Sequence, residues 1–449
     1  MTRSREIGVS LTTPSMVQTL QTTLHAKAKA EPSYRFYSLW DKVCRADVLR
    51  EAWQRCRRNG GAAGSDRVSF KDIESAGMEQ WLGRLQHELR LKQYEPGPLL
   101  RVWIPKSNGG RRGLGIPTVR DRVVQAAVVV VLTPIFEADL RPEQYGFRPR
   151  LDAKTALRQV HQHLTLHGRT HVVDADLTDY FNTIPHGALM KCVARRVADG
   201  TLLSTIKAWL EAAVVEREGN RERRSTEARD RSRGTPQGGV VSPLLANLYF
   251  RRFVLAWQRS REAQMCRGAI VNYADDLVIC CAPGTGGVAM NKVRELMQRL
   301  GLSVNDKKTR LVDASTEQFD FLGYTVGQFY GRHGKQFLGT APSKKSIKRV
   351  RKAIHDETSS RWNTTTVEER VRWINQILRG WCGYFNQGPV QTTYTLLSSY
   401  TERRLRRWLM RKHKRRGTGY RQYSDEMLYE QLGLYKPVAP GRRQLSAKA

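Results

Sequence analysis

Two short acidic clusters stand where the surrounding residues predict buried β-strands. Asp174, Asp176 and Asp179 lie in "VVDADLTD", and Asp275 and Asp276 lie in "NYADDLV". Because alternate residues of a strand share one face, Asp174 and Asp176 would point the same way. Asp275 and Asp276 would point oppositely unless the chain turns tightly between them, and such a turn would bring both to one site. Unpaired carboxylates repel one another and are costly to bury, so a cluster of this type usually exists to hold a cation.

The donor atoms of these clusters favour Mg²⁺. They are carboxylate oxygens, and neither motif contains His or Cys. Two Mg²⁺ ions about 4 Å apart can activate a primer 3′-hydroxyl and stabilise the leaving pyrophosphate, which is the chemistry of nucleotidyl transfer. An isolated Asp-Asp pair more often caps a turn or pairs with Arg, so the surrounding sequence has to decide between the two interpretations.

Local patterns outline the elements that must position these residues. A buried strand would end at Asp176 and turn into a helix. The stretch "LRVWIPKSNGGRRGLGIP" predicts a hairpin whose basic residues, Lys106, Arg111 and Arg112, suit phosphate contact. Residues 216–234 carry 12 charged residues in 19, which is typical of an exposed hairpin or loop.

Helical patterns fill much of the remaining chain. The first 30 or so residues are rich in Thr and Ser and are expected to be loosely ordered. Residues 34–57 and 79–91 show helical alternation, and the pattern from residue 347 to the end is helical and rich in Arg.

The composition favours a polyanionic partner. The 449 residues include 76 Lys and Arg against 42 Asp and Glu, a formal net charge of +34, and a field of this size favours nucleic acid. No stretch approaches the ~20 apolar residues that a membrane-spanning helix needs, and the N-terminus lacks the features of a secretion signal. The seven cysteines show no Cys-x-x-Cys spacing, which suits reduced thiols in a cytosol. The adjacent Cys280 and Cys281 are expected to be strand packing.

The motifs and their order resemble those of reverse transcriptases encoded by bacterial group II introns. "YADD" between apolar strands resembles the catalytic box of that family, and "VVDADLTDYFNTIPH" resembles the block that supplies its first metal-binding aspartate. The other blocks follow in the family's order, as "LRVWIPKSNGGRRGLGIPTVRDRVVQ", "EQYGFRPRLDAKTAL", "GTPQGGVVSPLLANLYF", "LGLSVNDKKTRLV" and "FDFLGYTV". The tail "INQILRGWCGYFN", followed by "LRRWLMRK", resembles the thumb and maturase domain. The resemblance covers residues 34–435.

This resemblance implies an α+β fold: a right-hand polymerase with fingers, a palm built on an antiparallel sheet and a helical thumb, plus a basic helical C-terminal region. We expect an N-terminal extension at residues 1–74, partly disordered and then helical, and reverse transcriptase fingers and palm at 75–331. A thumb and maturase domain would occupy 332–400. A basic segment contacting DNA or RNA would occupy 401–449.

The resemblance also implies the catalytic residues. Asp176, Asp275 and Asp276 would be catalytic and would bind two Mg²⁺ ions, with Asp176 and Asp275 as direct ligands of both. Asp174 and Asp179 fall outside the matched metal position, and we expect them to make local salt bridges or turn contacts.

Five further residues match family positions that bind the incoming deoxynucleoside triphosphate. Lys106 and Arg112 would grip the triphosphate as a mobile point charge and a planar fork. Phe181 would pack under the sugar and exclude a 2′-hydroxyl, although an aromatic at a strand end is often a core residue. Gln237 would contact the bound nucleotide. Lys308 would lie near the triphosphate, its alternative being a solvated lysine.

Three positions depart from the family pattern: Asn182, Gly113 and Ser65 stand where Asp, Pro and Val are common. None is a metal ligand, so polymerase activity should survive. Many relatives continue into a Cys- and His-bearing endonuclease domain, of which this sequence shows no sign. We therefore expect mobility to need a nick, a single-stranded target or a replication fork.

The C-terminal segment is the densest in cations. Ten Lys or Arg lie between Arg403 and Arg421, more than solubility needs, so this helix would track nucleic-acid phosphates. Trp408, Tyr420 and Tyr423 would be available to stack on bases. The alternative is a plain surface helix.

The sequence therefore predicts an RNA-directed DNA polymerase of a group II intron. It would also bind the intron RNA to assist splicing as a maturase, and would copy that RNA into cDNA during retrohoming. Its partners would be intron RNA, an RNA template, a DNA primer or target and dNTPs, in the bacterial cytosol or nucleoid, with no membrane and no assigned protein partner. Two alternatives stay open: a domesticated reverse transcriptase acting in DNA repair or defence, and a splicing-only RNA-binding maturase.

Overall fold

The computed structural model describes residues 15–105, 110–218, 221–331 and 333–440, which form a mixture of helices and sheets. The helices are α1 (Met16–Ala30), α2 (Trp40–Val43), α3 (Ala46–Asn59), α4 (Phe70–Ser75), α5 (Met78–Arg90), α6 (Val119–Glu137), α7 (Ala153–Thr165), α8 (Tyr180–Thr183), α9 (His186–Ala194), α10 (Gly200–Leu210), α11 (Glu227–Arg231), α12 (Ser242–Gln258), α13 (Arg261–Met265), α14 (Gly286–Arg299), α15 (Lys344–Glu357), α16 (Val367–Tyr384) and α17 (Gln391–Lys412). A short 3-10 helix spans Ser360–Trp362 and a π-helical turn spans Met427–Gln431. The strands are β1 (Leu99–Pro105), β2 (Arg111–Ile116), β3 (His171–Asp176), β4 (Val214–Glu218), β5 (Arg221–Ser225), β6 (Ala269–Tyr273), β7 (Asp276–Cys281), β8 (Arg310–Asp313), β9 (Gln318–Phe321), β10 (Tyr324–Tyr330) and β11 (Gln336–Pro342).

Helix α6 lies at the centre of the N-terminal half. Most of its side chains between Val119 and Phe136 are buried, and α1 and α3 pack against it. This packing accounts for the long apolar run in the sequence of α6, because the helix lies in the core and is covered by other helices. Among the described residues, no helix combines the length and apolarity needed to cross a membrane.

Residues 15–30 are more ordered than their Thr- and Ser-rich sequence predicts. Ser15 caps α1 and forms a capping box with Gln18, which satisfies backbone N–H groups at the helix start. Val17, Leu24 and Ala28 are buried on the same side of the helix. The expectation of loose order is therefore wrong for this stretch, because a capped start and an apolar stripe stabilise it.

The first sheet contains both predicted hairpins, in the strand order β2-β1-β4-β5. β1 and β2 are antiparallel, with Leu100 opposite Ile116, while the hairpin tip and its predicted contact Lys106 lie outside the described residues. β4 runs parallel to β1 and antiparallel to β5. The charged stretch from residue 216 thus forms a hairpin, one of the two predicted alternatives, and the short helix α11 that follows it was not predicted.

The second sheet has the order β6-β7-β3-β8 and is antiparallel throughout. Alternate residues of β7 enter two different cores. Leu277, Ile279 and Cys281 pack into the core that includes α12 and α14, while Val278 and Cys280 pack into the core that includes α7. Burial on both faces explains the continuous apolar run, and it confirms that the two cysteines are packing residues.

The third sheet and the C-terminal helices complete the described chain. β9, β10 and β11 form an antiparallel sheet in the order β11-β10-β9. Helices α15, α16 and α17 share an apolar core that contains Ile354, Ile374 and Leu405. The expected division at residue 400 falls inside α17, so residues 401–412 belong to the same helical core as the residues before them.

Two aromatic residues of this region are not available for stacking on bases. Trp408 has no exposed surface and Tyr423 is buried, whereas Tyr420 is exposed. Trp408 follows Leu405 by three residues and so lies on the core-facing side of α17. The prediction of a stacking role is wrong for Trp408, which helical periodicity places in the core, and for Tyr423, which packs into the same core from the segment after α17.

Candidate active site

A tight turn between β6 and β7 presents the adjacent aspartates. Ala274 adopts a positive φ of 59°, which reverses the chain directly before Asp275. The buried Asn272 holds this turn: its Nδ2 donates hydrogen bonds to the carbonyl oxygens of Ala274, at 2.9 Å, and Asp276, at 3.2 Å. The turn that the sequence required for both carboxylates to approach one site is therefore present.

A second segment, residues 143–146, packs against this turn and hydrogen-bonds to it. The backbone N–H of Asn272 donates to the carbonyl of Glu143 at 2.9 Å, and that of Tyr145 donates to the carbonyl of Asn272 at 2.8 Å. Gly146 lies so close that a Cβ there would come within 2.4 Å of the Ala274 nitrogen. Sequence reasoning missed Asn272 as a positioning residue. The available signal was a lone polar residue inside the apolar run "AIVNY".

Asp176 faces Asp276 directly across the sheet, in register on β3 and β7. The side chain of Asn305 donates to Asp176 Oδ2 at 3.0 Å, and Lys308 Nζ lies 3.3 Å from both carboxylate oxygens. The backbone N–H of Asp176 donates to the Thr309 hydroxyl at 3.1 Å. The "NDKKT" turn therefore fixes the carboxylate and places a cation beside it.

The carboxyl group of Asp276 lies among other negative charges. Although Asp276 as a whole residue is exposed, the loss of water around its carboxyl group, caused by the protein packed against it, is the largest cause that raises the pKa of Asp276 to about 7. The negative charges of Asp275, Asp174 and Asp176 raise this pKa further, while the Lys308 ammonium lowers it. The site thus holds more negative charge than its nearby cations compensate.

These side chains fit a divalent cation by their chemistry. Carboxylate oxygens are the donors that hard cations prefer, and the raised pKa of Asp276 reflects negative charge that a cation would relieve. Within the described ranges, no group of three or more His, Cys, Asp or Glu side chains is already spaced to hold a metal ion.

Asp174 and Asp179 make the local contacts that the sequence predicts. Asp174 Oδ2 accepts a hydrogen bond from Arg310 Nε at 3.2 Å, which forms an ion pair with the neighbouring strand. Asp179 has a φ of 49°, and both of its carboxylate oxygens accept from Asn182 Nδ2 at 2.9 Å. The amide at position 182 therefore stabilises the turn that follows β3.

The other two departures from the family pattern also have local partners. The Ser65 hydroxyl donates to the carbonyl of Pro98 at 2.6 Å. A Cβ at Gly113 would come within 2.6 Å of the Arg101 guanidinium, so glycine leaves room for that side chain on β1.

Two predicted nucleotide contacts meet each other. Arg112 Nε on β2 donates to Gln237 Oε1 at 2.5 Å, and Gln237 Nε2 donates to Asp179 Oδ1 at 3.4 Å. The first sheet is thereby linked to the turn after β3. Lys106, the third predicted contact of this group, lies outside the described residues.

The loop that carries Gln237 is fixed through its backbone. The N–H of Gly115 donates to the carbonyl of Gln237 at 2.7 Å, and a Cβ at Gly238, whose φ is 118°, would lie 2.7 Å from the Gly115 oxygen. The buried Gln125 accepts from the N–H of Val240 at 2.7 Å. Gly238 therefore allows close backbone approach to β2, and Gln125 is a further positioning residue that sequence reasoning missed.

Phe181 occupies a fixed place beside this loop. Its carbonyl accepts from the N–H of Thr235 at 2.7 Å, and its ring packs edge-on against Tyr180 with 5.6 Å between the ring centroids. The residue is 8% exposed, so one part of its surface is accessible while the rest is core.

Comparison with known proteins identifies the family. A family model described as reverse transcriptase (RNA-dependent DNA polymerase) matches residues 104–326, and one described as the group II intron maturase-specific domain matches residues 347–424. Protein YkfC of Escherichia coli (strain K12) is 31% identical over 369 residues, which cover 74% of this chain and 94% of YkfC. This chain belongs to the group II intron reverse transcriptase/maturase family. The predicted resemblance is confirmed.

Other members of the family match shorter parts of this group II intron reverse transcriptase. The group II intron-encoded protein LtrA of Lactococcus lactis subsp. cremoris is 31% identical over 224 residues, 49% of this chain and 35% of LtrA. The putative COX1/OXI3 intron 1 protein of Saccharomyces cerevisiae (strain ATCC 204508 / S288c) is 23% identical over 329 residues, 62% of this chain and 38% of that protein. The chain thus spans nearly all of YkfC but only 35% of LtrA and 38% of the yeast intron protein.

Proposed function

We propose that this protein copies RNA into DNA and also binds its intron RNA, assisting splicing and then using that RNA as template during retrohoming. The observation that carries the proposal is the pair of carboxylates, Asp176 and Asp276, held in register on adjacent strands beside a cation. A splicing-only maturase would have no use for such uncompensated charge. In this proposal residues 75–331 are fingers and palm, and the helices that follow are the thumb and maturase region.

Asp176, Asp275 and Asp276 would hold two Mg²⁺ ions. When bound, the ions supply activation of the primer 3′-hydroxyl and neutralisation of charge on the leaving pyrophosphate. The turn held by Asn272 supports this role because it keeps the two consecutive aspartates close enough for the charge of Asp275 to raise the pKa of Asp276.

The surrounding cations would bind the dNTP triphosphate. Arg112 offers a planar fork on β2, and its contact with Gln237 holds it beside the turn after β3. Lys308 contributes a compact charge within reach of Asp176. Lys106 is also included as a triphosphate contact, because its motif matches the corresponding position of the family. Phe181, fixed between Tyr180 and the Gln237 loop, would carry the deoxyribose on its accessible edge.

The C-terminal helices offer a surface for nucleic acid. Lys344, Lys348 and Arg351 line a cavity of about 520 Å³, and the Arg351 guanidinium lies 4.5 Å from the ring centre of Tyr400. Cations beside an aromatic ring suit a nucleic-acid strand. Binding there should weaken steeply as salt rises, because counterions are released when phosphates are neutralised.

Primer extension on an RNA template, with dNTPs and Mg²⁺, tests the polymerase role. We expect full-length cDNA from the wild type and none from Asp275→Ala, because the lost carboxylate is at the proposed metal site. The same variant should keep wild-type affinity for RNA and wild-type splicing of its intron, since the maturase role does not use this carboxylate. Equal cDNA synthesis by the variant would refute the site, and loss of splicing in a folded, RNA-binding variant would refute separate functions.

A further inference from the structure

A second cationic cavity lies between α9, α12 and the end of α6. Its volume is about 540 Å³, and it shares no residue with the candidate active site. Four basic side chains line it, namely Lys191, Arg195, Arg251 and Arg252. Such a density of cations around one concave surface calls for an explanation, since like charges destabilise one another.

The spacing of residues on two packed helices builds this cavity. On α12 the lining residues are Leu248, Arg251, Arg252 and Leu255, which recur at intervals of three and four and therefore share one helix face. On the α9 side, Lys191 and Arg195 are four residues apart and lie together for the same reason. α9 and α12 pack against each other, so the two basic faces meet.

The cavity contains a single lining carboxylate, and that carboxylate is already engaged. Asp139 Oδ2 accepts from the buried Arg196 at 3.1 Å and lies 3.6 Å from Arg195. The pKa of Arg251 is lowered, first by burial and then by the positive charge of Arg195. These guanidinium groups therefore repel one another, which is a cost that an anion in the cavity would remove.

Two of the cations have no acidic partner within the described ranges. Lys191 is exposed and makes no ion pair there. Arg252 is also exposed, and its guanidinium lies 5.3 Å from the ring centre of Tyr249. Neither cation is neutralised by a carboxylate among the described residues, so both can bind an anion.

We propose that this cavity is a second RNA site, which takes one unpaired nucleotide and its flanking phosphates. The inference rests on the proposed function, in which the protein holds a folded RNA while the carboxylate site acts on another part of it. The cations would bind the phosphates, and the apolar walls at Leu248 and Leu255 would contact the base. A volume of about 540 Å³ lies within the roughly 300–1,000 Å³ of small-ligand sites.

The test compares two double variants that lose the same charge. Lys191→Gln with Arg252→Gln removes two cations from the cavity. Lys207→Gln with Arg259→Gln removes two exposed cations outside it, the latter at the end of the same helix α12. The probes are a transcript whose stems are interrupted by unpaired nucleotides and a fully paired RNA duplex, each measured at several salt concentrations.

For the cavity variant we expect affinity for the interrupted transcript to fall by about tenfold or more, with the salt slope reduced by roughly 1.5 to 2. Affinity for the duplex should change much less, and the control should match the wild type. Equal behaviour of the two double variants would overturn the proposal. An equal loss on the duplex would overturn the assignment to an unpaired nucleotide.

Cys192 provides an independent readout. It lines the cavity and is partly exposed, whereas the other six cysteines are buried. Labelling of Cys192 by N-ethylmaleimide should slow when the interrupted transcript is added and recover at high salt, with Cys192→Ser as the blank. An unchanged labelling rate would count against the site.

Primer extension on a short unstructured template separates this inference from the proposed function. The cavity variant should extend at the wild-type rate, because its changes lie outside the carboxylate site. If the wild type makes no cDNA, the polymerase role is refuted. If the wild type extends normally but the two double variants have the same RNA affinity, only the proposed cavity site is refuted.

Discussion

The acidic edge of the β6-β7-β3-β8 sheet and the basic stretch of α17 are both dense in charge, but the fold treats them differently. At the edge, Asp276 keeps a raised pKa because its carboxyl group is partly shielded from water and three other carboxylates act on it. In α17, by contrast, Arg404 and Arg411 donate hydrogen bonds to Thr358, and Lys412 donates to the carbonyls of neighbouring loop residues. Much of the basic stretch therefore stabilises the packing of α17 against the residues that follow α15.

This difference shows that charge density in a sequence does not by itself mark a functional surface. A buried cation such as Arg406 is stabilised by the carbonyl of Tyr423, at 2.8 Å, and by Asp425. Within the described part of the chain, the acidic edge has no comparable set of internal partners for all its carboxylates. Charge that the chain itself leaves uncompensated is the better sign of a ligand.

The largest effect should come from a comparison of two aspartates on one strand. We expect Asp176→Asn to reduce cDNA synthesis by about a thousandfold or more, because it removes a proposed metal ligand. Asp174→Asn should stay within about threefold, since Asp174 forms a partly exposed ion pair with Arg310. Primer-extension rates measure both, and equal losses would remove the distinction between catalytic and local carboxylates.

A smaller effect should follow from loosening the turn. Asn272→Ala deletes the side-chain bonds to Ala274 and Asp276, and we expect activity to fall by up to about a hundredfold through misplacement of the carboxylates. RNA affinity should not change. Asn291→Ala, on the exposed face of α14, is the control. An active Asn272→Ala enzyme would show that other contacts position the turn.

Substitutions of two neighbouring arginines of α17 should change the stability of the protein by different amounts. Arg406→Gln leaves the Tyr423 carbonyl without its charged partner, so we expect a loss of about 2 kcal/mol or more in the free energy of unfolding. Arg407→Gln, at the next and exposed position, should change it by less than about 0.5 kcal/mol. Thermal unfolding of the two variants makes the comparison. Similar melting temperatures would mean that Arg406 is not a structural cation.

The smallest effect concerns pH, because Asp276 is exposed and water screens the charges that act on it. The folded protein holds a proton on Asp276 up to about pH 7, while the unfolded chain releases it near the ordinary value of 3.8. The stabilisation from this retained proton is complete below pH ~4 and is lost as pH rises through about 7. The metal-free wild type should therefore lose more thermal stability across this window than Asp276→Asn does. Asp306→Asn, at an exposed site, should follow the wild type, and parallel curves for all three proteins would contradict the raised pKa.

Much of the local structure could be predicted because it depends on near neighbours in the chain. The strand ending at Asp176, the hairpin of β1 and β2 and the charged hairpin from residue 216 all appear where their patterns place them. The helix at residues 16–30 was not predicted, because the Thr- and Ser-rich composition indicated loose order although Ser15 and Gln18 form a capping box. The stacking role predicted for Trp408 is wrong because the basic residues around it suggested an exposed helix, whereas its three-residue spacing from Leu405 places it on the apolar face.

The sequence by itself determined the chemistry that this protein can perform, because residue types fix donor atoms and charge and short motifs fix their order. Only the tertiary structure decided which charges are compensated. Asp176 meets Lys308 across 132 residues of chain, and the cavity cations meet only where α9 packs on α12. Compensation depends on distances of a few ångströms between remote segments, and no local pattern in the chain encodes those distances.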